Sequence, residues 1–142
     1  MYKHILLTVD PKEASSWRKA LPTSVELCRA FDATLHLMTV VPDFGMTVVA
    51  QYFPEDFEEK ATRAADAELR DLARAHLPAD VTCRRIVANG TIYEEILRVS
   101  RDIDADLIVM ASHRPELKDY LIGPNAARVV RHADCSVLVV RD

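Results

Sequence analysis

Short apolar runs alternating with amphipathic segments constrain this chain more than any other feature. Residues 3–10 carry His4-Ile5-Leu6-Leu7-Thr8-Val9, nearly continuous in apolar character, and further runs cover 33–41, 81–88, 106–111 and 136–140. The run over 106–111 shows no polar alternation, as expected of a strand covered on both faces. The run over 81–88 sets Val81, Cys83, Arg85 and Val87 against Thr82, Arg84 and Ile86. That mixed pattern with paired arginines indicates a sheet edge.

The intervening segments repeat at helical spacing. Ala20, Leu21, Val25, Cys28 and Phe31 form one stripe, for which Ser15 or Ser16 can serve as cap. Pro22 lies inside it, and its missing N–H predicts a kink or a break. Residues 54–76 form the longest helix, with Phe57, Ala61, Ala64, Leu69, Leu72 and Ala73 on its apolar face. Asn89-Gly90 reads as a turn, and Thr91 with Glu94 has capping-box spacing, so the next helix starts at Ile92. A last helix covers 125–132. Strand and helix alternate through all five strands, which implies a parallel sheet with helices on both faces. The loop over 44–53 exposes Met46, Val48, Val49 and Tyr52, as a lid, a partner surface or a small satellite core would.

At 142 residues the chain suits one domain, 1–142, with a sizeable core. A net charge of −4 argues against nucleic acid or an anionic membrane as main partner. The apolar runs are too short to span a bilayer, and the N-terminus opens on a strand pattern without a signal-peptide region. Cys28, Cys83 and Cys135 are odd in number and lack ligand spacing, which reads as reduced thiols in a cytoplasmic protein.

Residues 105–141 make a complete βαβ unit. The strand runs into the polar turn Ser112, His113, Arg114; a short segment with Leu117, Leu121 and Ile122 follows; Gly123-Pro124-Asn125 then opens the helix. In such units the loop after the strand and the helix N-terminus face one crevice, where an anion is favoured by free N–H groups and the helix dipole.

The tail ASHRPELKDYLIGPNAARVVRHADCSVLVVR resembles the C-terminal third of the universal stress protein family, in the branch that carries ASHRP and not the Gly-rich ATP-binding turn. The first strand ending Thr8, Val9, Asp10, the second ending Thr39, Val40 and the long variable loop after it extend the resemblance over the whole chain. It implies a doubly wound α/β sheet of strand order 3-2-1-4-5. The switch point then lies between strands one and four, with Thr8, Val9 and Asp10 on one side and Met110, Ala111, His113 and Arg114 on the other. It also implies an adenine nucleotide, ATP, ADP or AMP with Mg2+ as an optional companion, as ligand.

Residue by residue, Asp10 suits a ribose hydroxyl or a metal-bound phosphate, and equally a cap on the following segment. Val40 resembles the position whose backbone reads the adenine edge, although Val at a strand end also fits plain core. His113 suits a phosphate, a ribose or a structural hydrogen bond. Arg114 stands where the Gly-rich motif has its second Gly; its guanidinium suits polyphosphate, and its bulk could fill that space. Eight residues separate Arg114 from Gly123, one fewer than in the Gly-rich pattern. Pro124 replaces the usual Ser or Thr. It fits a first helical position, yet supplies neither hydroxyl nor N–H, leaving those of Asn125 and Ala126. Nucleotide binding is therefore expected to be weak, with little dependence on the terminal phosphate.

No P-loop, GxGxxG or GxSxG is present, and a response-regulator reading lacks its phospho-acceptor Asp and its Lys. No catalytic or metal residues are expected. Two readings remain: a nucleotide-binding regulatory module without dedicated catalysis, and a nucleotide-free dimeric interaction protein whose phosphate motif has lapsed. In both, the last strand leaves an apolar edge, so Val137, Leu138 and Val139 are expected to pair with a second copy.

Overall fold

The computed structural model describes residues 1–42, 57–112 and 123–142. Strands β1 (His4–Thr8), β2 (Thr34–Pro42), β3 (Cys83–Gly90), β4 (Leu107–Ser112) and β5 (Ser136–Arg141) alternate with helices α1 (Ala20–Phe31), α2 (Phe57–His76), α3 (Ile92–Asp102) and α4 (Pro124–His132). All pair in parallel in the order β3-β2-β1-β4-β5. The expected architecture is therefore present, and the arginine-bearing strand is an edge.

The pleat explains why the apolar runs are continuous. Ile5 and Leu7 of β1 join Leu35, Leu37, Leu107 and Val109 in one core cluster, filled from α1 by Leu21, Val25 and Cys28 and from α2 by Leu69 and Leu72. Leu6 faces the opposite way, into a second cluster with Met38, Ile108 and Met110, closed by Ile96 of α3 and Val129 of α4. Ile5, Leu6 and Leu7 are each fully buried. Successive side chains of a strand point to opposite faces, so a central strand with helices on both sides has no solvent face.

Several local expectations are corrected. Pro22 does not break α1, because it occupies the first turn, where N–H groups have no intrahelical partner in any case. The break lies upstream: a 3-10 turn, Ala14–Ser16, precedes α1, whose N-cap is Lys19 without a side-chain hydrogen bond. Neither Ser15 nor Ser16 caps the helix. Asn89-Gly90 is not a turn but the end of β3, because β2 runs on to Pro42 and pairs with both residues. Gly90, at φ 142°, then lets the strand swing into α3. That helix starts at Ile92 as expected, although the Thr91 side chain makes no capping bond. The segments 44–53, 54–56 and 115–122, together with His113 and Arg114, lie outside the described residues. So the loop and lid reading, the start of the long helix and the Leu117–Ile122 stripe are expectations there only.

Candidate functional site

The helices after β1 and β4 leave on opposite faces of the sheet: α1 packs into the first cluster and α4 into the second. Because β1 and β4 are neighbours, their connections part above the carboxyl ends of the strands. A crevice opens there, as it does at the switch point of any doubly wound sheet. Its volume is about 500 Å3, within the range of small-molecule sites.

Thr8 lines the crevice from the end of β1, Val9 and Asp10 from just beyond it, Val40 from β2, Met110 and Ala111 from β4, and Asn125 from the first turn of α4. The structure thus brings seven of the expected site residues together. Gly123, Pro124 and Ala126 do not line it. Gly123 is the N-cap of α4 and accepts the Ala127 N–H at 2.9 Å through its carbonyl oxygen. Pro124 is exposed at the first helical position, and Ala126 is buried in the α3/α4 core.

The loop leaving β1 is tied down by its own polar groups. The Asp10 Oδ1 accepts the Lys12 N–H at 3.1 Å, an Asx turn of the kind a short carboxylate favours. The Ser16 hydroxyl accepts the Asp10 N–H at 2.9 Å and lies 2.8 and 2.7 Å from the carbonyl oxygens of Asp10 and Glu13. Its single proton goes to one of the two. Asp10 therefore does cap the following turn. Its carboxylate is exposed at the crevice, and a carboxylate offers more acceptor sites than one N–H consumes.

The opposite wall was missed from the sequence. Ala61, Ala64, Ala65 and Glu68 of α2 line the crevice, with Lys12 and Ser16 on the facing loop. Ala61 and Ala64 were assigned to an apolar core face, yet on α2 only Leu69 and Leu72 are buried. The N-terminal half of that face borders the crevice, where Ala61 and Ala65 are half-buried and Ala64 is exposed. Small size on the leading half of the stripe was the available signal. Across the mouth, Lys12 Nζ stands 3.6 Å from Glu68 Oε1. Among the described residues no group of three or more His, Cys, Asp or Glu is placed to hold a metal ion, and no helix is long and apolar enough to cross a membrane.

Fold and crevice together define a doubly wound α/β domain with an open cavity at the strand ends between β1 and β4. The universal stress protein family matches residues 1–141. Universal stress protein G of Shigella flexneri is 30% identical over 144 residues, covering 99% of this chain and all of that protein. The chain belongs to the universal stress protein family. Among solved structures, the universal stress protein UspA of Lactobacillus plantarum superposes with a TM-score of 0.75 at 22% identity, covering 99% of this chain and 98% of that one. A universal stress protein in complex with cAMP matches at TM-score 0.63 and 19% identity over 99% and 97% of the two chains. An Arabidopsis thaliana family protein with AMP bound matches at 0.66 and 17% over 98% and 91%.

Proposed function

We propose that this chain is a stress-response regulatory module that binds an adenine nucleotide in the crevice at the ends of β1 and β4, without dedicated catalysis. The observation that carries the reading is the convergence of Thr8, Val9, Asp10, Val40, Met110, Ala111 and Asn125 on one cavity of about 500 Å3. Relatives of the same fold that hold cAMP and AMP support it. In this reading the backbone at Val9 and Val40 takes the adenine edge, Asp10 takes the ribose, and the N–H groups at the start of α4 take phosphate. His113 and Arg114 follow β4 in sequence and are assigned to the same phosphate rim. Mg2+ would enter with the phosphates of ATP and lend them charge neutralisation. The protein acts in the reducing cytoplasm, where Cys28, Cys83 and Cys135 stay as the free thiols seen here.

The module is a homodimer through β5. Among the described residues that strand is a sheet edge with no neighbour on its outer side, and two-fold antiparallel pairing of Val137, Leu138 and Val139 with a second copy would satisfy it. One observation favours the second reading, a nucleotide-free dimeric interaction protein: Pro124 is the first residue of α4 and removes both a hydroxyl and an N–H from the phosphate side. Mass spectrometry of denatured, freshly purified protein separates the two. An adenine nucleotide released in proportion to protein supports the module; its absence, with no binding on adding nucleotide back, supports the interaction protein.

A further inference from the structure

Among the described residues lining the crevice, Lys12 is the one cation, and Asp10 and Glu68 are the two carboxylates. The Lys12 backbone is fixed by its bond to Asp10 Oδ1, whereas its side chain is 76% exposed and that of Glu68 36%. At 3.6 Å their contact is longer than a hydrogen-bonded ion pair. Exposed pairs of this kind contribute little to stability, so one partner can be exchanged at small cost. Glu68 lies on the same face of α2 as Ala61, Ala64 and Ala65, one or two turns further along. It is therefore held over the space those alanines leave open.

We propose that the Lys12–Glu68 pair sets which charge state of nucleotide the crevice accepts. Lys12 leaves Glu68 for the ligand's phosphate, and the released Glu68 carboxylate, still on the wall, disfavours each additional negative charge. The assignment rests on the nucleotide reading above and adds a specificity device to it. The site gains most from the first phosphate group, and polyphosphates lose part of what their extra oxygens would gain.

The test is equilibrium dialysis of the full chain, stripped of nucleotide, against adenosine, AMP and ATP. Glu68→Gln keeps the shape of the wall and removes its charge. It should strengthen AMP roughly threefold and ATP roughly tenfold, with adenosine within about twofold of the parent. Lys12→Met should weaken AMP and ATP by about threefold to tenfold, leave adenosine within about twofold, and flatten the salt dependence of AMP binding. If adenosine binds and neither variant separates the phosphate-bearing ligands from it, the assignment is wrong while the nucleotide reading stands. If adenosine, AMP and ATP all fail to bind parent and variants alike, both are wrong.

Discussion

Asp10 and Pro124 act on opposite ends of the same ligand. Asp10 is already half-committed, with Oδ1 bonded to the Lys12 N–H, so its contribution to ribose is compatible with a structural duty and does not replace it. Pro124 starts α4 at no cost to the helix and withholds a hydroxyl and an N–H from phosphate. Restoring a charge-assisted hydrogen bond is worth roughly 1.5–3 kcal/mol, or about one to two decades in affinity. Pro124→Ser is accordingly expected to raise ATP affinity by up to that amount and AMP affinity by less, as read by competition between the two nucleotides. Equal gains for both would show that the position does not face the outer phosphates. If Arg114 fills the phosphate space, the gain will need Arg114→Gly as a companion.

A second residue-scale expectation lies away from the crevice. His36 is 4% exposed on β2, with its Nε2 3.2 Å from His4 Nδ1. Burial first, then the nearby His4 and Arg84, pulls the His36 pKa below the ordinary histidine value. A folded-state pKa below the unfolded one means that the unfolded chain binds more protons. This stabilising contribution is therefore present above about pH 6.5 and lost as pH falls through and below it. Urea unfolding should show a lower midpoint at pH 5.5 than at pH 7.5, with the difference reduced in His36→Leu. An identical pH response in the variant would mean that other groups carry it.

At the level of elements, β5 is where chain and assembly meet. Among the described residues, Val137 packs against one core cluster and Leu138 and Val140 against the other, while Val139 joins neither and is only half-buried. Val139→Asp is therefore the substitution that disturbs the fold least and the proposed pairing most. Sedimentation should show a folded monomer; a dimer of unchanged affinity would place the interface elsewhere. Elements were also the most legible level of the sequence. Nearly continuous apolar runs marked β1, β2, β4 and β5, because strands covered on both faces leave few polar positions, His36 and Thr39 of β2 among them. The ends were less legible. Asn89-Gly90 has the composition of a turn, and only its pairing partners Val41 and Pro42, far away in sequence, make it strand. Pro22 was misjudged because its effect depends on where the helix begins, and that is decided by the 3-10 turn before it.

For the whole molecule, topology does most of the positioning. The parting of α1 and α4 creates the crevice, and the strand-end half of its lining could be read from motif and strand order together. The α2 wall could not. Helical periodicity places Ala61 and Ala64 on an inward face, but it cannot distinguish an inward face that meets the core from one that borders a cavity. The pairing of Lys12 with Glu68 joins a loop to a helix across 56 residues, with no local pattern to announce it.

The central claim is that this crevice binds an adenine nucleotide chiefly through base and ribose. Calorimetric titration of nucleotide-stripped protein with AMP and with ATP tests it most directly. The account predicts saturable binding of AMP at one site per chain, with ATP no more than a few times tighter. No heat of binding from either nucleotide at millimolar concentration, in the parent and in the Pro124→Ser, Arg114→Gly double variant, would contradict it and leave the dimeric interaction protein as the better description.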